Sequence, residues 1–155
     1  MIVVLVHHAD ALGADIDPER PLSAMGRTQA DALARELAAM SIRPEAIWHS
    51  GKLRARQTAE FFWRACNPAA EFKMVRGLRP DDSTAWMRDM LYGEHRDVLI
   101  VSHMPLLPEL ARVLAPETLD FPVNGFVVLE REGERDYVER RRATADVRRG
   151  PWPAP

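Results

Sequence analysis

The chain opens on an unbroken apolar run, Met1-Ile2-Val3-Val4-Leu5-Val6, that stops at two imidazoles, His7-His8. Apolar residues at successive rather than alternate positions mark a strand buried on both faces, as in parallel sheets. The pattern recurs at Asp97-Val98-Leu99-Ile100-Val101-Ser102-His103, followed by Met104-Pro105, with the proline suited to a helix's first turn. Ala46–His49 and Glu71–Val75 read as two shorter strands. Between the strands the apolar period lengthens to that of a helix. Ala30, Leu33, Ala34, Leu37 and Ala38 form one stripe on a helix capped by Ser23, and Ser41 to Pro44 breaks the chain after it. A second helix, from about Lys52 to Ala65, is expected to bury Leu53, Phe61 and Phe62. Ser83 to Tyr92 forms a third with Trp86, Met87 and Met90 inward, and Pro105 to Leu114 a fourth. Trp48, Trp63 and Trp86 are read as core, and His49 and His95 as structural or surface residues.

The end of the chain differs. Phe126–Glu130 and Tyr137–Arg140, parted by Gly133, read as a hairpin at the sheet edge. The alternation of strand and helix predicts a three-layer α/β/α sandwich, with a mostly parallel central sheet and an antiparallel edge hairpin. One domain is expected over residues 1–148, followed by a loose proline-rich tail over 149–155.

Composition narrows the class rather than the chemistry. With 155 residues, 46% apolar residues and a formal charge of −2, the chain fits one soluble domain with no general attraction to nucleic acid or membrane. A single cysteine, Cys66, excludes an internal disulfide and suits a reducing compartment. No basic-then-apolar leader opens the chain and no apolar run reaches membrane-spanning length, so a cytoplasmic protein is expected. The run Arg140-Arg141-Arg142 with Arg148-Arg149 reads as a solvated edge or tail.

Candidate chemistry gathers at strand ends. Ligands of open α/β sheets bind beyond the carboxyl ends of the strands. His7, His8 and His103 all stand there. So does Ser50-Gly51-Lys52-Leu53-Arg54-Ala55-Arg56-Gln57-Thr58, where a helix start and its arginines favour an anion. Two or three histidines with arginines at one sheet edge describe a phosphate site whose nucleophile could be a nitrogen. Three histidines could instead ligate zinc, but the adjacent pair has poor spacing and the arginines would repel a cation.

These residues resemble the histidine phosphatase superfamily, the phosphoglycerate-mutase-like proteins, and in length its small branch of SixA-like phosphohistidine phosphatases. His7-His8-Ala9 lies where that family has Arg-His-Gly. Arg20-Pro21-Leu22-Ser23-Ala24-Met25-Gly26 resembles its Pro-Leu-Ser/Thr-x-x-Gly segment, residues 50–58 its Ser-Pro-x-x-Arg-Ala-x-Gln-Thr motif, and Val101–Pro105 its second histidine motif. The resemblance implies a metal-free, cofactor-free phosphatase in which His8 attacks phosphorus and becomes a phosphohistidine that water hydrolyses. The other ring nitrogen of His8 would then need an acceptor, expected to be a backbone carbonyl. Arg54 would clamp the phosphoryl oxygens, and His103 would donate to them. His7, Arg20, Asp81 and Ser102 are expected to contact substrate. Asp81 or Asp82 could protonate a leaving group, although Asp82 also stands where a helix N-cap is expected. Expected substrates are a phosphohistidine protein or a small phosphomonoester; the oligomeric state is not legible.

Three positions depart from the family pattern. His7 replaces an arginine, trading a permanent, rigid fork for a shorter donor; this predicts a protonated His7 on the phosphate and a slower enzyme favoured by acid. Ala9 puts a methyl group where a glycine lets phosphate approach. Gly51 replaces a proline and is expected to loosen the start of the helix. Loss of turnover through His7 and Ala9 would leave a phospho-ligand binding domain instead of an enzyme.

Overall fold

A computed structural model describes residues 1–145; the predicted tail over 149–155 and Arg148-Arg149 lie outside the described residues. Six strands and four helices alternate as β1 (Ile2–His7), α1 (Ala24–Ala39), β2 (Ala46–His49), α2 (Leu53–Cys66), β3 (Glu71–Met74), α3 (Thr84–Tyr92), β4 (Val98–Ser102), α4 (Leu106–Leu114), β5 (Gly125–Glu132) and β6 (Asp136–Thr144). The sheet order is β3-β2-β4-β1-β5-β6. The first four strands are mutually parallel, β5 runs antiparallel to β1, and β6 antiparallel to β5.

The continuous apolar runs behave as their pattern demands. Val3 to Val6 and Val98 to Val101 are fully buried, since each residue faces one or other helical layer. On one face Val4, Val6, Leu99 and Val101 meet Leu33 and Leu37 of α1 and Ala59 and Phe62 of α2. On the other, Val3, Leu5 and Ile100 meet Met87 and Leu91 of α3 and Leu106, Leu107 and Leu110 of α4. The result is the three-layer α/β/α sandwich with a mostly parallel sheet. The hairpin is longer than its sequence signal, with Gly133 at φ +79° in its turn, a conformation that favours glycine.

Several details depart from expectation. Trp86 is 56% exposed, because α3 turns Met87 and Leu91 to the core instead. Leu53, Phe61 and Trp63 are only half-buried on α2, whose inward stripe runs through Ala55, Ala59 and Phe62. The cap of α3 is Ser83, whose hydroxyl accepts the Ala85 N–H; Asp82 instead accepts the N–H of Arg79 at 2.8 Å. Gly51 sits at φ +91°, which proline cannot adopt, and a methyl group there would lie 2.5 Å from the Met74 sulfur. Glycine therefore defines this turn rather than loosening it.

Candidate active site

The carboxyl ends of β1 and β4 lie side by side, with His7 paired in register to Ser102. That register brings His8 and His103 together. The rings of His7 and His8 are 4.5 Å apart between centroids, and those of His8 and His103 are 5.1 Å apart, so His8 is the middle of three imidazoles. His7 and His103 are buried and His8 is half-buried.

Hydrogen bonds fix what each ring can do. His8 Nδ1 lies 2.8 Å from the Ala9 carbonyl, an acceptor only, so Nδ1 carries the proton and Nε2 keeps its lone pair. Burial, with Arg54 and Arg20 close by, pulls the His8 pKa down to about 4, against the raising effect of the Ala9 carbonyl. His8 is thus a neutral base at ordinary pH. His7 Nδ1 accepts the backbone N–H of Asn124 at 2.8 Å, which leaves its proton on Nε2. Burial and the neighbouring His8 and Arg54 hold the His7 pKa near 3. The expected protonated His7 is therefore corrected for the ligand-free site: it is a neutral donor, because protonating Nδ1 would break the Asn124 bond. His103 Nε2 shares a 2.7 Å hydrogen bond with the Ser50 hydroxyl, whose oxygen also accepts the Lys52 N–H at 3.3 Å. Burial first, then His8 and Arg54, keep His103 neutral with a pKa of about 2.

The cationic side comes from α2 and the loop after β1. No side chain caps the first turn of α2, in contrast to Ser23 on α1 and Ser83 on α3, so its positive end stays open to an anion. Arg54 stands in that turn, with Nε buried and without a hydrogen-bond partner; Nδ1 of His103 is likewise buried and unpartnered. Two buried polar atoms without partners at one strand edge call for a ligand acceptor. Arg20, at φ +51°, donates Nε–H to the Leu12 carbonyl at 3.0 Å and lies close enough to depress both the Arg54 and His8 pKa values.

Not every expected residue joins this group. Ser102 is fully buried and its hydroxyl donates to the Leu78 carbonyl at 2.6 Å, so it ties the Leu78 loop to β4 and is not free for substrate. Asp81 is exposed, whereas Asp82 lines a neighbouring cavity with Ser50. The Ala9 methyl group is buried against Leu22 and Ala30, while its N–H donates to Thr58 Oγ1 at 3.0 Å. Among the described residues no group of three or more His, Cys, Asp or Glu side chains is arranged to hold a metal. Cys66 is buried, which pushes its thiol up to about 11.

Asn124 was not legible in the sequence. It sits at φ +48° just before β5, gives its backbone N–H to His7 Nδ1, and donates Nδ2–H to the His8 carbonyl at 2.8 Å. Only its type hints at this, since asparagine tolerates the left-handed region. Ser50, Gln57 and Thr58 were visible as motif letters without a role. Gln57 holds the Leu22 N–H at 2.8 Å, and Thr58 ties Ala9 to α2 through the Arg54 carbonyl.

Comparisons with known proteins bear on the family and the fold. The family model of the histidine phosphatase superfamily (branch 1) matches residues 5–86, a little over half the chain. An uncharacterized protein of Picosynechococcus sp. is 32% identical over 103 residues, 64% of this chain and 62% of that relative's length. The phosphohistidine phosphatase SixA of Escherichia coli is 29% identical over 121 residues, 75% of each chain. Among solved structures, the protein histidine phosphatase SixA complexed with tungstate superposes with a TM-score of 0.82 at 24% identity, over 93% of this chain and 97% of that one. A phosphoserine phosphatase mutant of Entamoeba histolytica in complex with phosphoserine gives 0.67 at 13% identity, over 91% and 95%. Both superpositions show a shared fold.

Proposed function

The chain belongs to the histidine phosphatase superfamily, and from that premise we propose that it is a phosphatase whose nucleophile is His8 and whose substrate is phosphohistidine on a protein. One observation carries the reading. His8 is neutral, fixed as the Nδ1–H tautomer by the Ala9 carbonyl, and flanked by His7, His103 and the arginines, so Nε2 offers its lone pair amid donors suited to a phosphoryl group.

In the first step the His8 Nε2 lone pair forms a bond to phosphorus while the bond from phosphorus to the substrate imidazole breaks. The leaving imidazole departs with the proton it already carries or gains from solvent, which lessens the need for a strong general acid. Arg54 and the open end of α2 take up charge on the equatorial oxygens, and His103 Nδ1–H and His7 Nε2–H donate to them. Water then attacks the phosphorus on His8, phosphate leaves, and Nε2 regains its lone pair. The phosphohistidine substrate class is favoured by the similarity to a phosphohistidine phosphatase, SixA of Escherichia coli.

Single-turnover release of phosphate from a phosphohistidine-bearing protein tests this. His8→Ala abolishes release, and His7→Arg quickens it by about 10²-fold by restoring a charged fork. Orthophosphate binding without turnover in all three proteins would replace the enzyme with a phospho-ligand binding domain.

A further inference from the structure

Beside the imidazoles lies a cavity of about 370 Å³ that the phosphoryl chemistry leaves unexplained. Ser50, the hydrogen-bond partner of His103, forms one wall, and Arg76, Arg79 and Asp82 of the loop after β3 form others. The loop has a set shape. Gly77 stands at φ +88°, where a methyl group would lie 2.6 Å from Trp86 Cδ1, and Asp82 is occupied in holding the Arg79 N–H. Neither guanidinium has a carboxylate partner among the described residues, whereas Arg140, for example, pairs with both Glu130 and Glu132. Two large apolar side chains stay exposed at this margin, Met74 at 64% and Trp86 at 56%. Two guanidiniums against the single carboxylate of Asp82, with an apolar margin and joined to the imidazoles through the Ser50–His103 hydrogen bond, are the complement of an acidic, partly apolar leaving group.

We propose that this cavity reads the leaving-group side of the substrate: Arg76 and Arg79 select a protein segment that carries a carboxylate side chain next to its phosphohistidine, with Met74 and Trp86 covering the segment's apolar flank. The assignment rests on the phosphohistidine reading above. Exposed charge pairs contribute modestly, so two of them give a preference of about fivefold in kcat/KM for the acidic segment.

The test uses three phosphohistidine peptides that differ in one flanking residue, Glu, Gln or Lys, together with phosphoramidate, which has no such flank. The natural chain prefers Glu over Gln, R76A/R79A brings that ratio to about one, and R76E/R79E turns the preference toward Lys. An inverted preference cannot arise from a misfolded variant. Equal rates for Glu and Gln peptides in the natural chain, or a ratio unmoved in both variants, would overturn the assignment while His8-dependent hydrolysis of phosphoramidate left the phosphatase reading standing. No hydrolysis of phosphoramidate or of any peptide would remove both.

Discussion

The nucleophilic role proposed for His8 rests on what surrounds it rather than on its own chemistry. An imidazole in water shares its proton between two nitrogens and titrates near pH 6.5. Here the Ala9 carbonyl claims Nδ1–H, and burial with two arginines holds the pKa at about 4. As the proposed nucleophile, His8 is therefore unprotonated above about pH 5, and kcat/KM on a substrate of constant charge should be flat from there to neutrality. The same shifts act on stability. The unfolded chain protonates its histidines near pH 6.5, whereas His7, His8 and His103 resist until about 3, 4 and 2. Between those limits the unfolded state binds more protons, so stability falls as pH drops from 6.5 toward 4, by up to about 1.4 kcal/mol per pH unit for each imidazole. Thermal melts across that range should show a loss that begins above the carboxylate range and is smaller in His7→Gln. A melting temperature unchanged between pH 6.5 and 5 would contradict the buried neutral imidazoles. Asn124 belongs to this scale too. Asn124→Gly keeps the left-handed backbone and the N–H to His7 but deletes the bond to the His8 carbonyl. The expected result is a kcat lowered roughly 10–100-fold with phosphate binding little changed; equal loss of both would make Asn124 merely structural.

Each element is held where the site needs it by a contact with another. The start of α1 is pinned to the segment after His8: Ser23 caps the helix through the Gly26 N–H at 3.0 Å and donates to Asp10 Oδ2 at 2.5 Å. Gly26 lies so close that a methyl group would meet the Asp10 carbonyl oxygen at 1.9 Å. Gly26→Ala must therefore displace the backbone two residues beyond the nucleophile, costing roughly 2–3 kcal/mol by urea unfolding and lowering turnover as well; a variant of natural stability would contradict the contact. The elements themselves were legible, because unbroken apolar runs and helical stripes each admit one reading once their lengths are set. Positions near the surface were less so. Trp86 reads as core by size and spacing, yet Met87 and Leu91 fill the face that α3 buries. The gathering of His7, His8, His103 and Arg54 at one edge was legible because strand ends and a helix start meet there, whereas Arg20, on the loop after β1, was named only through the motif it shares with the family. Asn124 was not legible, since its bonds to residues 117 and 116 positions away follow from the return of β5 beside β1 and from no local pattern. Ser102 misled for the converse reason: its neighbour His103 faces the site while its own hydroxyl turns inward to Leu78.

At the scale of the whole molecule, the sheet order does the gathering. The chain lays β2 and β3 on one side of β4, with α1 and α2 over one face, then returns through α3 on the other face to set β4 beside β1, and α4 on that same face leads on to β5 at the far side of β1. That return places two histidine-ended strands next to each other and the uncapped start of α2 beside them, at the edge where open α/β sheets bind ligands. A chain of net charge −2 thereby presents Arg20 and Arg54 at the imidazoles, and Arg76 and Arg79 on the neighbouring cavity, without becoming basic overall. The central claim is that phosphorus passes through His8. Rapid quench of the protein with a 32P-labelled phosphohistidine protein, followed by mapping of the acid-labile, alkali-stable label to a peptide, tests it most directly. The account predicts a transient label on His8 that forms before free phosphate and is missing in His8→Ala. Phosphate release with no protein-bound label, or a label on His7 or His103, would contradict it.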